Sequence, residues 1–418
     1  VSKTKNAVVA SSLCIAKGVS KAHKALKGAP ADAVRNLGAD FTAGSRRSTR
    51  VRRKRLGATA KRAGRIKRLR SAGARTVGLV KTGLTPAATY AVSVTGMNES
   101  QLYQLRRQAR SAACRHTAGR SLTMDLALLG DKVDPAYLVN REPILMWCKG
   151  VWDSRLPRLW LGRSWNAAYI KLRDAKRPWQ HAAGPAAATI ATMFRIGWKC
   201  KGHEGSFPSP VIWETPFGTF NILETCPRTI ASLVDRSTEA WLWKMEASKR
   251  PQFDFLADGG MIKPITAALK AKPNKDWGHV EQGYLRSACA HGQWPQARLH
   301  KCGLVDEPAC LICGDHGDHF HRYWECPARD SFRMQYGIPV ETAKKYRQMH
   351  VWTWPIFPAY TKGFPDPIME EQIVWDIQAM SGSVTGDLCG DGSGVRVQTP
   401  EFARCGWSVC QVAHVGDG

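Results

Sequence analysis

Apolar positions recur at helical spacing through most of the chain. Between residues 46 and 70, Leu56, Ala63, Ile66 and Leu69 fall at i, i+7, i+10 and i+13. That spacing lines one side of a helix and turns most of the intervening Arg and Lys away from it. A second helix is expected from Asn98, which can cap it, with Gln101 three residues on at the capping-box position. Leu102, Leu105 and Ala109 form its stripe, and Arg106, Arg107 and Arg110 lie on the flank. Gly83-Leu-Thr-Pro86, between the two, reads as a turn. Residues 182–189 read as a loop entering a helix. Residues 229–248 read as another helix on Ile230, Leu233, Val234, Trp241 and Met245. The period changes only near the C-terminus. There Asp391 ends one strand, 392–401 turn the chain, and 403–412 pair back antiparallel. The expected fold is mostly α, closing in a β-hairpin.

Charge divides the chain. Residues 1–120 hold 27 Lys and Arg against three acids, Asp32, Asp40 and Glu99, a net of +24. The other 298 residues carry 34 basic and 31 acidic side chains, a net of +3. Tryptophan is distributed the other way, with none of the 16 before Trp147. Of the 25 residues from 46 to 70, 13 are basic and none is acidic. An isolated helix of that kind repels itself, and phosphates relieve the repulsion while releasing counterions. The excess runs from Lys3 to Arg120, which favours a nucleic-acid backbone over a merely solvated face or a nuclear-import signal. No run approaches the length of apolar residues that a membrane-spanning helix needs. The Trp residues after 145 are read as core anchors, and no catalytic signature is visible between 145 and 300.

The most specific chemistry lies further on. Thirteen cysteines are too sparse for a disulfide scaffold, and their one dense cluster has metal spacing, which fits an intracellular, reducing setting. Cys310 and Cys313 form a Cys-x2-Cys pair followed by glycine, and His321 and Cys326 form a His-x4-Cys pair. Three thiolates and one imidazole make a closed tetrahedral site of the structural zinc type. His316 and His319 are rival ligands, and Cys302 a more distant one.

Several of these segments resemble non-LTR (LINE-like) retrotransposon reverse transcriptases. Val1-Ser-Lys-Thr-Lys5 resembles the segment just after the palm active site, with Lys3 at the family's lysine. Asn36-Leu-Gly-Ala-Asp40 resembles the Leu-Gly motif that follows it, and the basic helices stand where the family has its thumb. The Cys-x2-Cys-Gly … His-x4-Cys-Pro element after a linker is similar to one in many proteins of that family. Asp391-Gly-Ser-Gly394, with Gly406-Trp407 opening the return strand, looks like the first hairpin of a type 1 ribonuclease H. The resemblance implies Asp391 as the first of several carboxylates that bind two Mg²⁺ ions. A Gly-rich turn whose Asp bonds its own backbone is the bland alternative.

The implied organisation is the end of a palm at 1–40, a basic helical thumb at 41–145 and a Trp-rich helical linker at 146–300. A zinc-knuckle-like module follows at 301–330, a connector at 331–380, and the start of a truncated α/β ribonuclease H-like domain at 381–418. The chain begins with Val and stops just after a strand-like run, so both ends are read as cut from a longer protein. No two Asp are adjacent anywhere, so the polymerase carboxylates are absent, and one Asp cannot hold two metals. The parent would copy RNA into DNA and degrade the RNA strand, while this fragment would only bind. The expected partners are RNA, DNA or their hybrid, with no small-molecule substrate evident. The nucleus is the expected location, with cytoplasmic passage. The expected backbone-gripping residues are Lys3, Arg46, Arg47, Arg50, Arg52, Arg53, Lys54, Arg55, Lys61, Arg62, Arg65, Lys67, Arg68, Arg70, Arg106, Arg107 and Arg110. A non-enzymatic nuclear nucleic-acid-binding protein with one structural zinc is the competing reading. A basic membrane-surface protein is weakened by the lack of an amphipathic Trp/Phe face in 46–70.

Overall fold

The computed structural model describes residues 7–22, 29–44, 46–115, 118–130, 132–153, 157–202, 208–338 and 340–359, and the backbone pairing of 387–394 and 405–412. Two compact units divide the chain, Val1–Thr361 and Lys362–Gly418, and the architecture is mostly α-helical. Lys3 lies outside the described residues.

The first unit opens with β1 (Ala7–Val9), α1 (Leu13–Ala22) and β2 (Ala29–Ala31), the two strands pairing in parallel. A hairpin of β3 (Ala33–Asn36) and β4 (Ala39–Thr42) follows, turned by Leu37 and Gly38 with φ of 45° and 81°. Glycine is required at 38, because a Cβ there would meet the Arg55 guanidinium at 2.9 Å and the Tyr90 ring at 3.0 Å. The next helix is α2 (Arg50–Ser71). Its N-terminus is capped from β4, where Asp40 accepts from the Val51 and Arg52 amides at 2.9 and 3.1 Å. The buried stripe of α2 is Arg52, Leu56, Thr59, Ala63, Ile66 and Arg70.

Residues 77–89 are helical where a turn at 83–86 was expected. They comprise α3 (Val77–Leu79), a wide π turn (Val80–Leu84) and α4 (Thr85–Thr89). The π turn delivers Pro86 to the first turn of α4, where a missing N–H costs nothing. After α5 (Val92–Thr95), α6 (Glu99–Ala113) starts as expected, with Asn98 accepting from the Gln101 amide at 2.9 Å. α6 packs along α2, and with α7 (Leu122–Ala127) and the first half of α8 (Pro135–Trp152) it encloses an aliphatic core around Leu84, Leu102 and Leu105.

The second core is built on tryptophan. The rest of α8, α9 (Arg158–Arg173) and α10 (Pro185–Arg195) enclose Trp147, Trp165, Trp198 and Trp213. Trp165 and Trp213 stack at 5.8 Å, and the Trp198 indole donates to Ser237 at 2.7 Å. The expected helical linker contains a three-stranded antiparallel meander, β5 (Lys199–Cys200), β6 (Ile212–Thr215) and β7 (Gly218–Asn221). Burial alternates along β6, with Trp213 and Thr215 inward, and this places Trp213 in the core. Next come α11 (Pro227–Lys249), α12 (Ile262–Lys270), α13 (His279–Cys289) and α14 (Gln296–Lys301). A third core joins Trp243, Phe253, Leu256 and Cys289 to Ile356.

Beyond the cysteine–histidine segment lie α15 (Asp330–Gln335) and α16 (Val340–Lys345). The chain then returns to the interior. The Met261 amide donates to Phe357 O at 2.8 Å and the Ala359 amide to Gly259 O at 2.9 Å. Residues up to 359 thus belong to the first unit. In the second unit, β8 (Asp387–Gly394) pairs antiparallel with β9 (Cys405–Val412), Asp391 opposite Ser408. The strand runs on to Gly394 instead of ending at Asp391.

Candidate metal centre and basic helical face

The ligand atoms of Cys310, Cys313, His321 and Cys326 all lie within 4.8 Å of one another. Cys313 Sγ is 3.2 Å from His321 Nε2 and 3.9 Å from Cys326 Sγ. A tetrahedral zinc ion needs about 3.7 Å between two sulfurs and about 3.5 Å between sulfur and imidazole nitrogen. The donor set and spacing fit that ion, and four protein ligands leave no open position for catalysis.

Local backbone chemistry explains the gathering. The Cys310 amide donates to Asp315 O at 2.6 Å, Gly314 takes a positive φ of 84°, and the Gly314 amide donates to Cys310 O at 2.9 Å. This tight knuckle aims backbone N–H groups at sulfur. Donation from the Ile312 and Cys313 amides pulls the Cys310 thiol down to about 6, while Cys313 is pushed up to about 11, the pull of the Asp315 amide being outweighed by desolvation and by the Cys310 and Cys326 sulfurs. A Cβ at Gly317 would be crowded, lying 3.0 Å from the Gln296 side chain and 3.1 Å from Pro308 O.

The second half-site depends on a wide turn. Residues His321–Glu325 form one π turn, closed by the Cys326 amide donating to His321 O at 2.9 Å. Ligands five apart diverge on an α-helix, and the wider turn brings them round to one side. The Asp318 carboxylate accepts from the His321 amide at 2.7 Å and anchors the start of that turn. Beneath it the buried Arg333 donates to Tyr323 O and Cys326 O. Of the rivals, His319 turns away to pack on His291 and Trp354, with ring centroids 5.5 and 5.7 Å apart, while His316 and Cys302 are exposed.

The basic residues separate into three sets. Arg50, Lys54, Lys61, Arg65 and Arg68 lie on the side of α2 opposite its buried stripe, and Arg53, Arg62 and Lys67 are exposed on its flanks. Arg46 and Arg107 are exposed as well. The second set is half-buried and engaged. Arg47 donates to Thr95 O, Arg55 to Tyr90 O above the Tyr90 ring, and Arg110 to Arg120 O.

The third set corrects the expectation. Arg52, Arg70 and Arg106 are buried, not available to phosphates. Arg52 donates to Ala88 O, Thr95 Oγ1 and Gly96 O, and Arg70 donates to Ser111 O at 2.6 Å. Arg106 forks onto Asp134, its Nε 3.0 and 2.9 Å from the two carboxylate oxygens. The reason is a shortage of hydrophobes: on this stripe, arginine stems fill the core and their heads satisfy exposed carbonyls.

The acids of this region are spent elsewhere. Asp40 caps α2, Glu99 accepts from Trp179 Nε1 at 2.7 Å and pairs with Arg195, and Asp32 lies 3.7 Å from Arg50. Among the described residues, Lys54, Lys61, Arg65 and Arg68 have no ion-pair partner. No described helix is long and apolar enough to cross a membrane. Asp391 sits in β8, and its side chain lies outside the described residues. Comparison with protein-family models, curated proteins and solved structures gives no match for this chain.

Proposed function

We propose that the chain binds nucleic-acid backbone through the outer side of α2, while a structural zinc ion holds the 310–326 segment together. The observation that carries the reading is the acid-free row Lys54, Lys61, Arg65 and Arg68, extended at one end by Arg50. Over 18 residues such a row is about 27 Å long, enough to follow several phosphates. It offers charge without a shaped pocket, which suits gripping a backbone rather than reading bases.

The family resemblance gives this binding a setting. On that reading the chain is a thumb-to-ribonuclease H piece of a non-LTR retrotransposon polyprotein, acting in the nucleus on RNA, DNA or their hybrid. Asp391 would supply one carboxylate of a Mg²⁺ site that needs others. Cys310, Cys313, His321 and Cys326 would hold the zinc, which contributes folding energy and no catalysis.

The test is a titration with an RNA–DNA hybrid at rising salt. With six to ten phosphates engaged, affinity falls roughly 10³- to 10⁵-fold between about 50 and 200 mM. An affinity indifferent to salt would overturn the proposal. Zinc is tested separately: one equivalent should be retained by the native chain and lost in Cys310→Ser with Cys313→Ser. Full metal content in that variant would remove the site.

A further inference from the structure

We infer that the groove between α8, α9 and the start of α10 is a second site, which takes single-stranded nucleic acid. The inference rests on the nucleic-acid reading above and adds a surface that charge counting along the sequence passes over. The groove has a volume of about 860 Å³. One wall is a ridge of α9 on which Ser164, Ala167 and Lys171 line the groove, and Trp160 stands one turn beyond Ser164 on the same ridge. The facing wall is α8, through Met146 and Lys149.

Trp160 is the anomaly that calls for a ligand. Trp165 and Trp213 in the same layer are fully buried, yet Trp160 is 61% exposed. The Arg163 guanidinium lies 5.8 Å from its ring centroid. Lys149 and Lys171 are exposed at the groove, and α9 carries four basic residues and no acid. Glu142 is the single carboxylate among the lining residues. An exposed indole beside one guanidinium, one turn from a groove that carries Lys149 and Lys171, is an arrangement that can stack one base and hold the phosphates beside it. A base can stack on an exposed indole only when its own face is free of a stacked neighbour, which favours a single strand over a duplex. Aromatic stacking and point charges carry no sequence code, so recognition should be tolerant of base identity.

The experiment is fluorescence anisotropy of the full chain with a labelled oligo-deoxythymidine of about ten nucleotides, beside a labelled RNA–DNA hybrid. Trp160→Ala should weaken oligo-deoxythymidine binding about 5- to 150-fold and leave hybrid binding unchanged. Trp160→Phe should restore most of the loss, and Lys149→Glu with Lys171→Glu should reduce both the affinity and its dependence on salt. Circular dichroism confirms folding, since an exposed indole does not hold the core. Oligo-deoxythymidine affinity indifferent to Trp160→Ala overturns the inference, and hybrid binding through α2 can stand without it. If charge reversal on α2 abolishes hybrid binding while Trp160-dependent strand binding persists, the two sites are separate and the inference is upheld.

Discussion

On the inner side of α2, Arg52 and Arg70 lie in line with Leu56, Ala63 and Ile66 and give their N–H groups to backbone carbonyls. On the outer side, Lys54, Lys61, Arg65 and Arg68 face solvent, and among the described residues no carboxylate pairs with them. One helix thus puts the same positive charge to two uses. Inside, backbone carbonyls and the Thr95 hydroxyl replace the water that the Arg52 and Arg70 guanidinium groups gave up. Outside, the charge is unspent, and its field extends about 8 to 10 Å at physiological salt. Net charge alone counts both sets equally, so it overstates the number of phosphate contacts this region can make.

The contrast breaks most sharply at Arg106. Arg106→Ala leaves the Asp134 carboxylate buried without its partner and should destabilise the fold by about 3–5 kcal/mol in urea denaturation. Nucleic-acid affinity per folded molecule should not change. A stable variant with weakened binding would place Arg106 on the outer set after all.

Asp125 sharpens the inner half of the comparison through pH. It is fully buried, its carboxylate takes no hydrogen bond among the described residues, and it lies 3.7 and 3.9 Å from Arg110 and Arg120. Burial pushes its carboxyl up to about 6, against the pull of Arg120, Arg110, Arg286 and Arg250. Between pH about 4 and about 6 the folded state then holds this proton more tightly than the unfolded chain. Lowering pH through that window should therefore add stability, by up to about 3 kcal/mol. Asp125→Asn should remove that contribution, read as the difference between the two pH–stability curves. Curves that stay parallel would mean the carboxyl titrates normally.

A smaller effect is expected at the helix end. Asp40→Ala removes both acceptors for the Val51 and Arg52 amides and should cost about 1 kcal/mol. It also frees the start of α2, so phosphate binding near Arg50 should loosen more than binding near Arg68. Lys67→Ala, on an exposed flank, should change stability by less than about 0.5 kcal/mol.

These inner contacts explain what could be read ahead of the structure. The α2 and α6 helices were legible because Leu56, Ala63, Ile66, Leu102 and Leu105 keep helical phase and Asn98 is a good cap. Leu69 was assigned to the stripe and is 49% exposed, while Arg70 takes that place. The phase itself held the answer: 52, 56, 59, 63, 66 and 70 step by four and three, and only the chemical prejudice against burying arginine hides it. The turn expected at 83–86 was misread because a π turn lets Pro86 begin a new helical turn. Four-residue β6 is too short for its alternation to register, and Asp40 caps α2 across a gap that no local motif encodes.

The metal ligands were legible as spacing, with His321 chosen by its His-x4-Cys pairing with Cys326 and His316 and His319 kept as rivals. The decision comes from the π turn, from Asp318 holding the His321 amide, and from Trp354 and His291 receiving His319 instead. Trp160 escaped notice for a similar reason, since composition groups it with the core tryptophans beside it.

The central claim is that the outer side of α2 grips phosphates and the inner side does not. It is tested most directly by hybrid binding of Lys61→Glu, Arg65→Glu, Arg68→Glu at about 50 and about 200 mM salt. The account expects at least about a 100-fold loss at low salt, a shallower salt slope, and an unchanged unfolding midpoint. Wild-type affinity and slope in that folded variant would contradict it.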